Sequence, residues 1–136
     1  MSSISAIALS GLNAASRRLQ VSASNVANAQ STGAVPNANG TVPAGAPQAY
    51  APLQVVQSAS AGGGVQTSVT RVTPSTTTVF DPQASFANQD GLVAAPNVDL
   101  AQEFVGKLLA SYSFAANVAV LKTNDQNTKS LLDITA

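Results

Sequence analysis

The sequence predicts a mainly α fold, in which long N- and C-terminal helices pack as an antiparallel, coiled-coil-like pair and a small β-hairpin and loop segment fills the middle. Three observations carry that expectation. Neither end contains Pro, apolar residues recur at helical spacing in both, and all seven Pro and seven of the nine Gly fall between positions 30 and 96. The chain therefore divides into residues 1–33, 34–96 and 97–136, with the two ends forming one discontinuous helical domain.

The first helix is expected from about Ser3 to Ala29. Leu12, Leu19 and Val26 recur every seven residues, and Ala15, Ser22 and Ala29 follow each by three, with Ala8 continuing that second row. A row of small residues lets a neighbouring helix approach closely but buries little area, so a solitary helix of this kind is marginal. Its length would be roughly 40 Å. At its close, Asn25 and Asn28 stand three residues apart on one face, where side-chain amides can bond the exposed backbone of a helix end. Gly33 follows as a residue free to take a positive φ.

Between the helices, Gln30 to Pro47 reads as loop. Ala49–Gln57, Val65–Val72 and Thr76–Phe80 are short, β-branched-rich strand candidates, and Gly62-Gly63-Gly64 supplies a hairpin connection between the first two. That Gly run is not followed by the Gly-Lys-Ser/Thr and helix of a phosphate loop, so a turn is the better reading. Residues 90–99 form an extended approach to Pro96, and Asn97 and Asp99 then open the second helix, with Asp99 and Gln102 at capping-box spacing. This helix continues through Leu100, Phe104, Leu108, Ala115 and Val118 to Leu131 and Leu132, roughly 50 Å. Glu103 with Lys107 and Asp125 with Lys129 make favourable i, i+4 pairs along it.

Composition excludes more than it suggests. Of 136 residues 25 are Ala, and the 45% hydrophobic fraction falls to about a quarter without them. A lone domain of this size needs more bulk than that to cover its core. Six basic and six acidic residues balance, with no run longer than Arg17-Arg18, which argues against nucleic-acid binding. With neither His nor Cys, the usual zinc sites, thiol nucleophiles and imidazole bases are missing. No catalytic residue, metal or cofactor is expected, and Asp81 and Asp90 read as turn residues. The N-terminal residues lack a basic n-region and a continuous apolar h-region, and no unbroken apolar run suggests a membrane span.

The stretch Ser10–Ala29, continued by Thr32-Gly33, resembles the N-terminal signature of bacterial flagellar rod and hook proteins. Val79–Pro82, Asp90–Asp99 and Ala110–Leu121 are similar to the proximal-rod subtype of that family, with Pro96-Asn97-Val98-Asp99 as the most subtype-specific element and Asn117 inside the last. Where the family commonly carries Arg-Ser-Tyr, this chain has Tyr112-Ser113-Phe114. The resemblance implies a structural subunit of the periplasm-spanning rod of the basal body, exported through the flagellar type III apparatus without signal cleavage. Other rod subunits and basal-body ring or adapter proteins are the implied partners, with no nucleic acid and no small-molecule substrate. Another rod subunit, or a secreted coiled-coil adapter of the export system, would share the first signature. Leu12, Leu19, Val26, Phe104, Leu108, Ala115 and Val118 are the expected helix core, within and between subunits.

Overall fold

A computed structural model describes residues 4–135. Helix α1 spans Ile4–Ala27 and helix α2 spans Leu100–Thr135, with strands β1 (Leu53–Ala59), β2 (Val65–Arg71), β3 (Thr76–Phe80) and β4 (Leu92–Pro96) between them. The helices are antiparallel: Asn124 Nδ2 donates to Ser5 Oγ at one end, Asn117 lies over Gly11 in the middle, and Ser22 Oγ donates to the Glu103 carbonyl at the other. Gly11 is what allows that approach, since a Cβ there would stand 2.5 Å from Asn117 Oδ1.

Each helix is started or stopped by short polar side chains. Asn28 ends α1 by turning its amide back to the Ser24 carbonyl, 2.9 Å away, while Ser31 donates to the Asn28 carbonyl. At the start of α2, Asp99 Oδ1 accepts from the backbone of Ala101 and Gln102, satisfying two donors that the first turn leaves free. Asn97 ties this start to the loop before β3 by donating its side chain to the Pro74 carbonyl and its backbone N–H to the Ser75 carbonyl.

The middle segment forms two separate two-stranded antiparallel sheets. In the first, β1 and β2 pair from Leu53↔Arg71 to Ala59↔Val65. Gly63 and Gly64, both at positive φ, close its turn, and Ser10 on α1 fits against Gly64 and accepts from the Val65 amide. In the second, β3 pairs with β4 from Thr76↔Pro96 to Phe80↔Leu92. The extended approach to Pro96 is thus a strand, and Pro96 is buried at its end. Gly33 bridges to β4 through reciprocal backbone bonds with Ala94.

Two expectations change here. Gly33 does not have a positive φ. It is confined by close approach instead, because a Cβ would collide with the backbone of Pro47–Ala49 while the other edge is taken by Ala94. By length and composition alone, helix α2 over Leu100–Ile134 is also long and apolar enough to cross a membrane. Ala counts toward its mean hydropathy, and the single charges and Asn along the helix break the apolar run without lowering that mean below what a span requires.

Replacing Gly33 with Ala should destabilise the fold by about 2 kcal/mol, because backbone on two sides leaves the methyl group nowhere to go. A melting temperature lowered by several degrees would bear this out; an unchanged one would show that the 47–49 segment yields.

Candidate assembly interface

The contact between the helices is built from small and polar residues. Ala8, Ala14, Ala15, Ser22 and Asn25 are the buried side of α1, whereas Leu12, Leu19 and Val26 are half-buried along its flanks. On α2 the residues turned toward α1 are Glu103, Lys107, Ala110, Asn117, Leu121 and Asn124, spaced by threes, fours and sevens and all buried or half-buried. The heptad rows on α1 are therefore real, but the small row, rather than the bulky one, makes the closest contact.

Asn25 is the junction of this arrangement. It is 1% exposed. Its Nδ2 donates to the Leu53 carbonyl and to Glu103 Oε1, and its Oδ1 accepts from the Leu53 amide and the Tyr50 hydroxyl. Both donors and both acceptors of the amide are used. Because Tyr50 gives its proton to Asn25, the 3.0 Å contact between Ser24 Oγ and the Tyr50 oxygen has Ser24 as donor. The side chain thus acts toward Leu53 as a neighbouring strand would, engaging its N–H and C=O together, and fixes β1 against α1 while tying both to Glu103 of α2. Glu103 is drawn to Asn25 instead of pairing with Lys107, whose Nζ lies 6.0 Å from the centre of the Phe104 ring. Asp125 and Lys129 do pair, at 2.8 Å, on the solvent side. That hydrogen bond and the charge of Asp125 raise the Lys129 pKa above its ordinary value.

The opposite face of α2 is apolar and uncovered. Phe104, Leu108 and Val118 are 59%, 55% and 44% exposed, and Ala115 is exposed as well. As members of an intramolecular core these four are corrected by the structure: the small row of α1 meets a different side of α2, with Leu108 and Ala115 opposite it and Phe104 and Val118 on its flanks. Val105, Leu108, Tyr112, Ala115 and Ala119 continue this outer face at alternating spacings of three and four. Twelve large apolar residues of α2 are exposed in all, and the row from Val105 to Ala119 forms a continuous apolar stripe of the kind that marks interaction surfaces. Among the described residues no three His, Cys, Asp or Glu side chains converge as a metal site would require.

The chain's ends match two family descriptions. Residues 6–34, which carry α1 and its exit through Gly33, match "Flagella basal body rod protein". Residues 89–134, which carry β4 and α2, match "Flagellar basal body rod FlgEFG protein C-terminal". Over 132 residues the chain is 42% identical to the flagellar basal-body rod protein FlgC of Yersinia enterocolitica, covering 93% of this chain and 88% of that one. The chain belongs to the FlgC family of flagellar basal-body rod proteins. It is 39% identical to FlgC of Escherichia coli O157:H7 over 86% of its length, and 38% identical to FlgC of Salmonella typhimurium over the same share, each alignment covering 84% of the relative. As a FlgC-family protein it is a structural subunit of the basal-body rod.

Residue spacing located Asn25 and Asn28 but not what Asn25 binds. Tyr50, Leu53 and Glu103 lie 25, 28 and 78 residues away, beyond any local pattern. Gly11, the helix-crossing point, carried one usable signal: a Gly inside a helix costs about 1 kcal/mol relative to Ala and implies a neighbour at close range.

Asn25→Ala should cost about 2–4 kcal/mol, since Leu53, Tyr50 and Glu103 would lose partners in a buried place. Amide exchange at Leu53 would accelerate along with the loss of stability. Unchanged exchange there would mean that β1 is held by other contacts.

Proposed function

We propose that this chain is a proximal-rod subunit that assembles through its terminal helices into the helical drive shaft of the basal body. The observation that carries the reading is the inverted helix α2, polar and small toward α1 and apolar on the far side. An outer face of this kind is stable in water only when covered. The partner that supplies the cover is another rod subunit, packed in coiled-coil-like fashion against Phe104, Leu108, Ala115 and Val118. On α1 the half-buried Leu12, Leu19 and Val26 join the same interface from the flank, and repetition of a head-to-tail contact generates a helical polymer.

In this reading the signature residues have a shaping role. Asn25 and Asn28 set the exit from α1, Pro96, Asn97 and Asp99 set the entry to α2, and Asn117 fits the helix crossing. Residues 1–33 and 97–136 form the assembling domain, and 34–96 the outer insert. The subunit leaves the cell interior through the flagellar type III export apparatus without a cleaved signal and takes its place beside ring and adapter proteins. It performs no catalysis and requires no cofactor, nucleic acid or small-molecule substrate. Similarity to FlgC proteins across most of the chain favours this over another rod subunit or an export adapter.

Leu108→Asp separates assembly from folding, because Leu108 touches solvent rather than α1. The expected outcome is a monomer of unchanged helicity and cells without rods or motility. Normal basal bodies in cells carrying only this variant would contradict the proposal.

A further inference from the structure

Two turns of the middle segment are built alike. In the loop before β1, the Asn37 N–H donates to the Thr41 carbonyl, the Asn37 carbonyl accepts from the Gly40 N–H, and Asn37 Oδ1 accepts from the Thr41 N–H. In the loop before β4, the Asn88 N–H donates to the Leu92 carbonyl, its carbonyl accepts from the Gly91 N–H, and its Oδ1 accepts from the Leu92 N–H. Gly40 and Gly91 have φ of 74° and 70°. Each is a tight turn that ends on Gly in the left-handed region, with an Asn side chain clamping its base. The residue before the Gly is what differs: Asn39 in the first turn, Asp90 in the second.

That difference is chemical as well as electrostatic. Of the ten Asn in the chain, Asn39 alone precedes a Gly, and both residues are exposed. A backbone nitrogen can attack the side-chain amide carbon of the residue before it, and Gly permits this best because no Cβ obstructs the five-membered ring that forms. At Asn39 the turn restrains the attack. The Gly40 N–H must lose its proton to become nucleophilic, and it is held by the Asn37 carbonyl at 2.8 Å. Asn37 is itself held by the Thr41 N–H and hydroxyl, at 3.0 and 2.8 Å.

We propose that Asn39 is a site of spontaneous deamidation whose rate is set by opening of the Asn37 clamp. On opening, the Gly40 nitrogen gives its proton to solvent and bonds to Asn39 Cγ, and the side-chain nitrogen leaves as ammonia. Water then adds to one of the two carbonyls of the resulting succinimide, yielding either an aspartyl or an isoaspartyl residue, with no net oxidation or reduction. The aspartyl product reproduces the Asn-x-Asp-Gly turn that Asn88 to Gly91 already forms, so the fold accommodates it. It adds one negative charge to a chain whose six acidic and six basic residues balance. The isoaspartyl product runs the backbone through the side-chain carbon, and this extra atom breaks the pairing of Asn37 with Thr41.

Peptide mapping by mass spectrometry of the purified full-length chain, held at mildly alkaline pH, tests the assignment. Asn39 should convert to aspartyl and isoaspartyl forms ahead of the other nine Asn. Asn37→Ala, which removes both side-chain bonds to Thr41, should speed conversion several-fold in the folded protein and leave it unchanged in concentrated urea. Asn39→Asp should melt with the wild type. Asn39 remaining intact while another Asn converts would overturn the site. Equal rates in folded wild type and folded Asn37→Ala would overturn the clamp, and a melting point lowered by several degrees in Asn39→Asp would contradict the fit of the product.

Discussion

The buried amide of Asn25 holds three segments that the chain has too little apolar bulk to hold otherwise. It engages Leu53 at the start of β1, Tyr50 in the preceding loop and Glu103 in the first turns of α2, from a side chain that is itself buried. In such a site a fully satisfied polar group specifies one arrangement, because any shift strands a donor or an acceptor. The rest of the architecture follows from it. With β1 fixed beside α1, the hairpin turn reaches Ser10, and with Glu103 fixed, the antiparallel register runs on through Gly11 and Asn117 to Ser5 and Asn124.

A helix contact of Ala, Ser, Gly and Asn contributes close approach and hydrogen bonding but little buried area. The apolar side chains are consequently available for the exterior of α2, where Phe104, Val105, Leu108 and Tyr112 stand exposed. In a protein that worked alone this would be a liability. In the proposed assembly the same division would let neighbours supply the hydrophobic stabilisation that the monomer lacks, coupling the folded state to the assembled one. The low charge of the chain suits such an arrangement, since unpaired charges are costly in an interface that excludes water.

Much of this fold was legible in the sequence, and what was not has a definite cause. Pro-free ends with heptad spacing marked both helices, and the Gly62–Gly64 run between β-branched segments marked the hairpin. The direction in which α2 faces was not legible, because two sets of positions have coiled-coil spacing. One contains Glu103, Lys107, Ala110, Asn117, Leu121 and Asn124, the other Phe104, Leu108, Ala115 and Val118. Apolarity alone selects the second as the contact with α1, whereas the structure uses the first, because Asn25, Ser22 and Ser5 of α1 bond Glu103 and Asn124. Gly33 was legible as a necessary Gly, but its reason, backbone on two sides, depends on Ala49 and Ala94 from distant segments.

The central claim is that α2 is completed by neighbouring subunits rather than by its own chain. Amide hydrogen exchange along α2, measured in the dilute monomer and in assembled rods, addresses it most directly. Weak protection in the monomer across residues 104–120, rising by several orders of magnitude in the rod, is the predicted result. Equal and strong protection in both states would contradict it, because α2 would then draw its stability from contacts within one chain.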